Sequence, residues 1–221
     1  MKKLANQATD SPSALKEISE GRAHLHLQIE SGSRSKSAAL EANPSAEEQV
    51  RPYAAQLGDG GISVTEKDRY GELEESGYGG KEGREFVLRD YEALYLLYVN
   101  KLDLVDAEGH KVSFEMLAEI SQKRAGDFWT KFVIYRDLRS RGYVVREGFG
   151  FGTDLRVYER GDYPKKPAKY VVFALDEGIE KGMADLQKSV KEMAKMGKEA
   201  IIAVIERRGE VIYYKVSRAR F

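Results

Sequence analysis

Between residues 127 and 158 the sequence writes one helix with both ends marked and then, without a linker, a strand, a glycine-rich turn and a second strand. Asp127 stands where an N-cap belongs. Phe128, Trp129, Phe132, Tyr135 and Leu138 recur at helical spacing, and Gly142 follows the last basic turn as a C′ residue. Residues 143–145, Tyr-Val-Val, predict a short strand, with Gly148, Gly150 and Gly152 as a tight connection. Residues 155–158, Leu-Arg-Val-Tyr, predict a strand that alternates inward and outward and ends on an outward Tyr158.

The flanks extend this pattern. Residues 1–50 hold eight serines and few large apolar residues, so most of the segment reads as an extension. Its exception is 23–29, Ala-His-Leu-His-Leu-Gln-Ile, which alternates like a strand with His24 and His26 on a solvated face. From Pro52 onward the texture is compact. A hairpin over 54–65 turns at Gly58 to Gly61, a short polar helix covers 67–75, and a strand covers 85–88. Asp90 is placed to cap a helix with the stripe Tyr91, Leu94, Tyr95 and Tyr98; a strand follows at 102–105, and Ser113 caps a helix over 114–122. After Tyr158 come a charged loop (159–166), an apolar strand (170–175), and a helix whose face is Ile179, Met183, Leu186, Val190 and Met193. Gly197 stops that helix, and strands at 200–205 and 211–216 close the chain. The pattern predicts an α/β (α+β) protein: an extension over 1–50, a small N-terminal α/β domain over 51–124, and a C-terminal mixed-sheet domain over 125–221.

Composition narrows the function. The 221 residues contain no cysteine, and the histidines (His24, His26, His110) are too scattered for a metal cluster, so no metal and no cofactor is expected. No apolar run is long enough for a bilayer and the N-terminus lacks the apolar core of a signal peptide, so a soluble, cytoplasmic protein with no membrane partner is expected. Net charge is zero but unevenly spread: residues 125–221 carry 20 Lys and Arg against 14 Asp and Glu, and residues 1–124 carry 16 against 22. A basic half suits phosphate and an acidic half suits a protein partner, although plain solvated surfaces give the same balance.

The run Tyr135-Arg-Asp-Leu-Arg-Ser-Arg-Gly-Tyr143 followed by Phe151-Gly-Thr-Asp-Leu-Arg-Val-Tyr158 resembles the archaeal tRNA-splicing endonuclease family, which excises introns from precursor tRNA. Gly77-Tyr-Gly79 ahead of a strand, and the helix run Glu92-Ala-Leu-Tyr-Leu-Leu97, resemble that family's N-terminal domain. The resemblance spans Pro52 to Phe221. It implies a C-terminal, restriction-endonuclease-like nuclease domain and metal-independent cleavage to a 2′,3′-cyclic phosphate and a 5′-hydroxyl.

Cleaving RNA without metal needs a base for the 2′-hydroxyl proton, an acid for the leaving 5′-oxygen and a cation for the phosphorane charge. The resemblance assigns these roles to a Tyr, a His and a Lys. Tyr158 matches the Tyr. Lys198, just ahead of the strand at 200–205, matches the Lys, with Lys191 as rival. The His position is Pro167, in Pro-Ala-Lys-Tyr170, and proline has no proton to donate. A structural subunit is therefore expected, supporting a catalytic endonuclease subunit of the same fold, with a heterotetramer as the assembly and precursor tRNA as the bound RNA. Two alternatives stand beside it: catalysis by this chain with Tyr163, Lys165 or Lys166 replacing the His, and a non-enzymatic RNA-binding or assembly module.

The resemblance further implies association through the last strand, here including Val211 and Tyr213, and insertion of an acidic loop into a basic pocket of another dimer. That loop is here Glu206-Arg-Arg-Gly-Glu210, with Arg207 and Arg208 where acid is expected. Arg207, Arg208, Arg218 and Arg220 are accordingly candidates for RNA phosphate.

Overall fold

The computed structural model describes residues 51–150, 153–176 and 183–217. The strand expected at 23–29, and Gly152, Ile179, Arg218 and Arg220, lie outside the described residues. The first sheet opens with β1 (Tyr53–Gly58) and β2 (Gly61–Val64), joined by a two-residue turn that Gly61 closes at φ +131°. A 3-10 turn at Lys67–Arg69 leads into α1 (Tyr70–Glu75), then β3 (Gly80–Glu82), β4 (Glu85–Leu88), α2 (Asp90–Tyr98) and β5 (Leu102–Val105). The sheet order is β3-β4-β2-β1-β5, antiparallel throughout except for the parallel pair β1–β5.

Two helices then cross to the second sheet: α3 (Phe114–Arg124), whose N-cap Ser113 accepts the Met116 N–H, and α4 (Phe128–Ser140). Strands β6 (Val144–Gly150), β7 (Thr153–Tyr158), β8 (Tyr170–Asp176), β9 (Glu199–Ile205) and β10 (Val211–Val216) form the order β10-β9-β8-β7-β6, with α5 (Met183–Lys195) between β8 and β9. Only β8–β9 is parallel, as a helical crossover requires. The sheet is therefore mixed and has a helix on each face.

Helix α4 joins the two sheets. Phe128, Phe132, Val133, Ile134, Tyr135 and Leu138 are buried in one continuous core with Ile62, Phe86 and Leu94 of the first half and Val145, Leu155, Val157 and Val172 of the second. A smaller cluster, Val171, Phe173, Met193 and Ala200, lies on the other face of the second sheet under α5. Arg139 of α4 fastens the joint. Its guanidinium donates to the carbonyls of Ser76 (3.0 Å) and Gly77 (2.7 Å) and to the Tyr135 hydroxyl (2.9 Å), and lies 4.0 Å over the Tyr78 ring. Burial pushes the Tyr78 phenol up to about 12.

The Gly77-Tyr-Gly79 motif and the helix run that begins at Glu92 are two sides of one contact. Glu92, 2% exposed, accepts the backbone N–H groups of Gly79 (2.9 Å) and Arg89 (3.0 Å). A Cβ at Gly79 would stand 2.4 Å from the Phe86 ring and 2.8 Å from the Val87 carbonyl, at φ +56°, so only glycine fits.

Several local expectations are corrected. Asp90 is the first helical residue and not the cap; Arg89 occupies the cap, its N–H taken by Glu92. Asp127 holds the N-cap position but its side chain makes no capping bond, because Gln122 of the preceding helix already accepts the Trp129 N–H at 3.2 Å. Tyr98 is 43% exposed, at the end of the stripe where α2 passes the edge of α4. The strand expected at 143–145 continues to Gly150 through a bulge between Glu147 and Gly150, which turns Phe149 toward the cluster under α5.

Candidate active site

The sheet topology brings three chain segments to one end of the second sheet: the end of β7, the start of β8 and the start of β9. Backbone bonds hold them in a row, Lys169 N–H to the Val157 carbonyl and Glu199 N–H to the Lys169 carbonyl, both 3.0 Å. The next row outward is Tyr158, Ala168 and Lys198. Lys198 Nζ donates to the Ala168 carbonyl at 2.5 Å, and Gly197 at φ +68° ends α5 so that Lys198 falls there. Residues 40 positions apart in sequence thus come to the same end of the sheet, because β7–β8 is antiparallel and β8–β9 parallel.

Lys191, the rival, stands on α5. It shares with Lys195, Lys198 and Lys215 a basic groove of about 500 Å³, but it is not in the row with Tyr158.

Tyr158 does not point freely outward as its alternation predicts. It is 9% exposed, because Tyr163 from the following loop lies edge-on to it with ring centroids 4.9 Å apart. Among the described residues no group hydrogen-bonds its hydroxyl. The loop itself is pinned from within. Lys169 pairs with Glu159 at 2.6 Å, Lys166 with Asp162 at 2.7 Å, and the Tyr170 hydroxyl donates to Glu159 at 3.0 Å. The bond to Asp162 raises the Lys166 pKa, and the bond to Glu159 raises that of Lys169, so neither yields a proton easily near neutrality. Pro167 is exposed on the loop surface, beside the Ala168 carbonyl that holds Lys198.

The other candidates stand elsewhere. Strand β10 is an edge, and Val211 and Tyr213 lie on it. The Tyr213 hydroxyl is bonded to Asp137 of α4 at 2.7 Å, which together with burial raises its pKa. Glu206, Arg207, Arg208 and Glu210 form an exposed turn at the far end of β9 from Lys198, roughly 20 Å away at strand rise. Within one chain, those arginines and the Tyr158 row cannot grip the same phosphate.

Two groupings escaped sequence reasoning. A cleft of about 220 Å³ between β3–β4 and β6–β7 is lined by Lys81, Arg89, Glu92, Arg146, Glu147 and Arg156 among others. Arg146 and Arg156 are direct partners across the β6–β7 ladder, and Arg146 Nη1 and Arg156 Nε are buried with no acceptor. The only signal was that both arginines flank the glycine turn at strand spacing. Asp106, Glu108 and His110 also converge, their ligand atoms within 4.8 Å in one exposed turn. Asp106 is occupied there by the His110 N–H (2.7 Å), the His110 ring (3.2 Å) and the Glu108 N–H (3.0 Å), which hold its carboxyl below the ordinary range. Among the described residues no helix is long and apolar enough to cross a membrane.

Comparison with known proteins agrees with this layout. The family model described as tRNA intron endonuclease, N-terminal domain, matches residues 53–118, and the one described as tRNA intron endonuclease, catalytic C-terminal domain, matches residues 128–213. The chain is similar to a protein named tRNA-splicing endonuclease of Methanococcus maripaludis, 33% identical over 73% of this chain and 92% of that one. Proteins of the same name resemble it from Methanopyrus kandleri (33% identical, 69% of this chain and 83% of the relative) and Pyrococcus furiosus (31% identical, 66% and 83%).

Proposed function

The chain belongs to the tRNA intron endonuclease family, and on that premise we propose that it is the structural, non-catalytic subunit of a tRNA-splicing endonuclease that removes introns from precursor tRNA at bulge–helix–bulge sites. The observation that carries this reading is the third corner of the site. Tyr158 and Lys198 stand at the same end of the sheet, but the position that resembles the family His is Pro167, and what the loop turns toward Lys198 is a backbone carbonyl. General acid catalysis is worth about 10²–10⁴ in rate, so the chain lacks a term that cleavage needs.

A catalytic partner of the same fold supplies the complete set. The exposed edge of β10 supports strand pairing with such a partner, and the cleft with the unpartnered Arg146 and Arg156 nitrogens supports docking of an acidic segment from it.

One contact favours a second reading, catalysis by this chain with Tyr163 as the proton donor: Tyr163 is the loop side chain packed on Tyr158, whereas Lys166 is held as an ion pair.

Cleavage of a bulge–helix–bulge precursor RNA by the purified chain, alone and mixed with its host's second endonuclease-like subunit, separates these. The structural role predicts activity only in the mixture, surviving Tyr158→Phe and Lys198→Ala in this chain. Activity of the chain alone, lost with Tyr163→Phe, would establish the second reading in its place. RNA binding without cleavage in either arm would leave a binding module.

A further inference from the structure

The C-terminal turns of α4 and the loop after β7 carry arginines of two kinds. Arg139 is tied to Ser76, Gly77 and Tyr135, and Arg141 pairs with Asp137 at 2.8 Å. Arg136 and Arg160 are in no ion pair among the described residues, and the acids adjacent to them in sequence, Asp137 and Glu159, are taken by Arg141 and Lys169. Each of the two lies instead over a tyrosine ring: Arg136 is 5.9 Å from the centroid of Tyr98, and Arg160 is 5.5 Å from that of Tyr143. A guanidinium laid on a ring is held in orientation while its N–H edge stays open to an acceptor, an arrangement suited to phosphate.

The two pairs mark the ends of one strip. Arg160 follows Tyr158 by two residues, and a Cβ at Gly142 would stand 3.4 Å from its Nε, so its side chain lies against the backbone that leaves α4. Arg136 precedes Tyr143 by seven residues, roughly 10 Å at helix rise, which a few nucleotides span. Beside Arg136, Tyr98 is 43% exposed, in a stripe whose Tyr91 and Leu94 are buried. An exposed ring next to an uncommitted arginine offers a face to a base and N–H groups to its phosphate. Arg207 and Arg208 lie past the far end of β9 from Lys198 and do not extend this strip.

We propose that the strip is an RNA-binding surface running from beside the Tyr158 row onto the first half of the fold: Arg160 and Arg136 hold two phosphates of one strand, and Tyr98 stacks an unpaired base. The inference rests on precursor RNA as the bound molecule proposed above, and adds where the first half touches it. Charge alone grips any RNA. The ring requires a base that is out of its helix, which a bulge supplies and a paired stem does not.

The test is binding of the full chain, alone and mixed with its host's second endonuclease-like subunit, to a bulge–helix–bulge precursor and to a fully paired RNA duplex of equal length, across salt concentration. Arg136→Ala and Arg160→Ala should each weaken binding to both RNAs and lower the slope of log affinity against log salt by about one, and Arg136→Lys and Arg160→Lys should keep that slope. Tyr98→Leu should weaken binding to the bulged RNA by about tenfold at unchanged slope and leave the duplex alone, while Tyr98→Phe should bind both as wild type does.

Arginine variants with the wild-type slope overturn the proposal, and so does a Tyr98→Leu penalty that is equal on the two RNAs. Lysine variants that lose as much as the alanine ones would reduce the arginines to supports of α4 and overturn it too. Weaker association with the second subunit at unchanged RNA affinity assigns the strip to protein, and no RNA binding in either arm removes its ligand; both overturn it. Cleavage is scored separately: the binding pattern with an inactive mixture leaves the strip standing and removes the splicing role.

Discussion

Glu92 shows how much a single residue can carry that its sequence context does not announce. In sequence it is only the first residue of the run that ends at Leu97, yet it is buried and binds the N–H groups of Gly79 and Arg89. Burial raises its pKa above the ordinary carboxylate range. The unfolded chain therefore releases this proton at lower pH than the folded one, and the folded state loses stability as pH rises from the unfolded pKa through the folded one. Glu92→Gln keeps an oxygen acceptor for both N–H groups and carries no charge. Urea unfolding should find the variant at least as stable as wild type at pH 8, with that advantage shrinking toward pH 4; a difference that is flat with pH would show Glu92 to be ionised without cost. On the structural-subunit reading, the proline at position 167 is legible from sequence, because a side chain with no proton to donate is recognised without geometry. The covering of Tyr158 is not, since it depends on where the charged loop folds back.

At the scale of elements, periodicity located the strands and helices well and missed what joins them. Helix α4 reads in sequence as an amphipathic unit with a basic last turn, and nothing in that pattern assigns its arginines a partner. Arg139 instead reaches the carbonyls at the end of α1 and lies over Tyr78, crossing between the two sheets. Such a partner, more than 60 positions away, leaves no periodic trace. Arg139→Ala removes three charge-assisted bonds and the contact with the Tyr78 ring, and should cost about 2–4 kcal/mol in denaturant unfolding. Arg139→Lys should recover only part of that, because a single ammonium cannot reproduce the planar fork that meets Ser76, Gly77 and Tyr135 together. Full recovery by Lys would reduce the clamp to simple charge. The bulge in β6 was illegible for a related reason: Gly148 and Gly150 signal a turn in any chain, and only the packing of Phe149 under α5 makes the strand continue through them.

At the scale of the whole fold, the main core takes in residues from Tyr53 to Ala203 through α4, so the two sheets share Tyr135 and Phe132, two of the largest buried side chains. Residues 51–217 should unfold in one cooperative step, with calorimetric and van't Hoff enthalpies in agreement. Phe132→Ala should lower stability by about 3–5 kcal/mol without splitting the transition; two resolved steps would mean that the halves hold themselves separately. The same architecture keeps the frame of the site apart from its chemistry. The row of Tyr158, Ala168 and Lys198 is fixed by strand hydrogen bonds and one backbone carbonyl, while the side chain at 167 lies in solvent. On the reading proposed above, a change of residue there alters what the site can do while taking no side chain out of the core. In a lineage with a second, active copy, nothing in the stability of the protein opposes drift at that position. An inactive copy would be made, folded and inherited as readily as an active one, and selection would reach it only through the surfaces by which it meets other molecules.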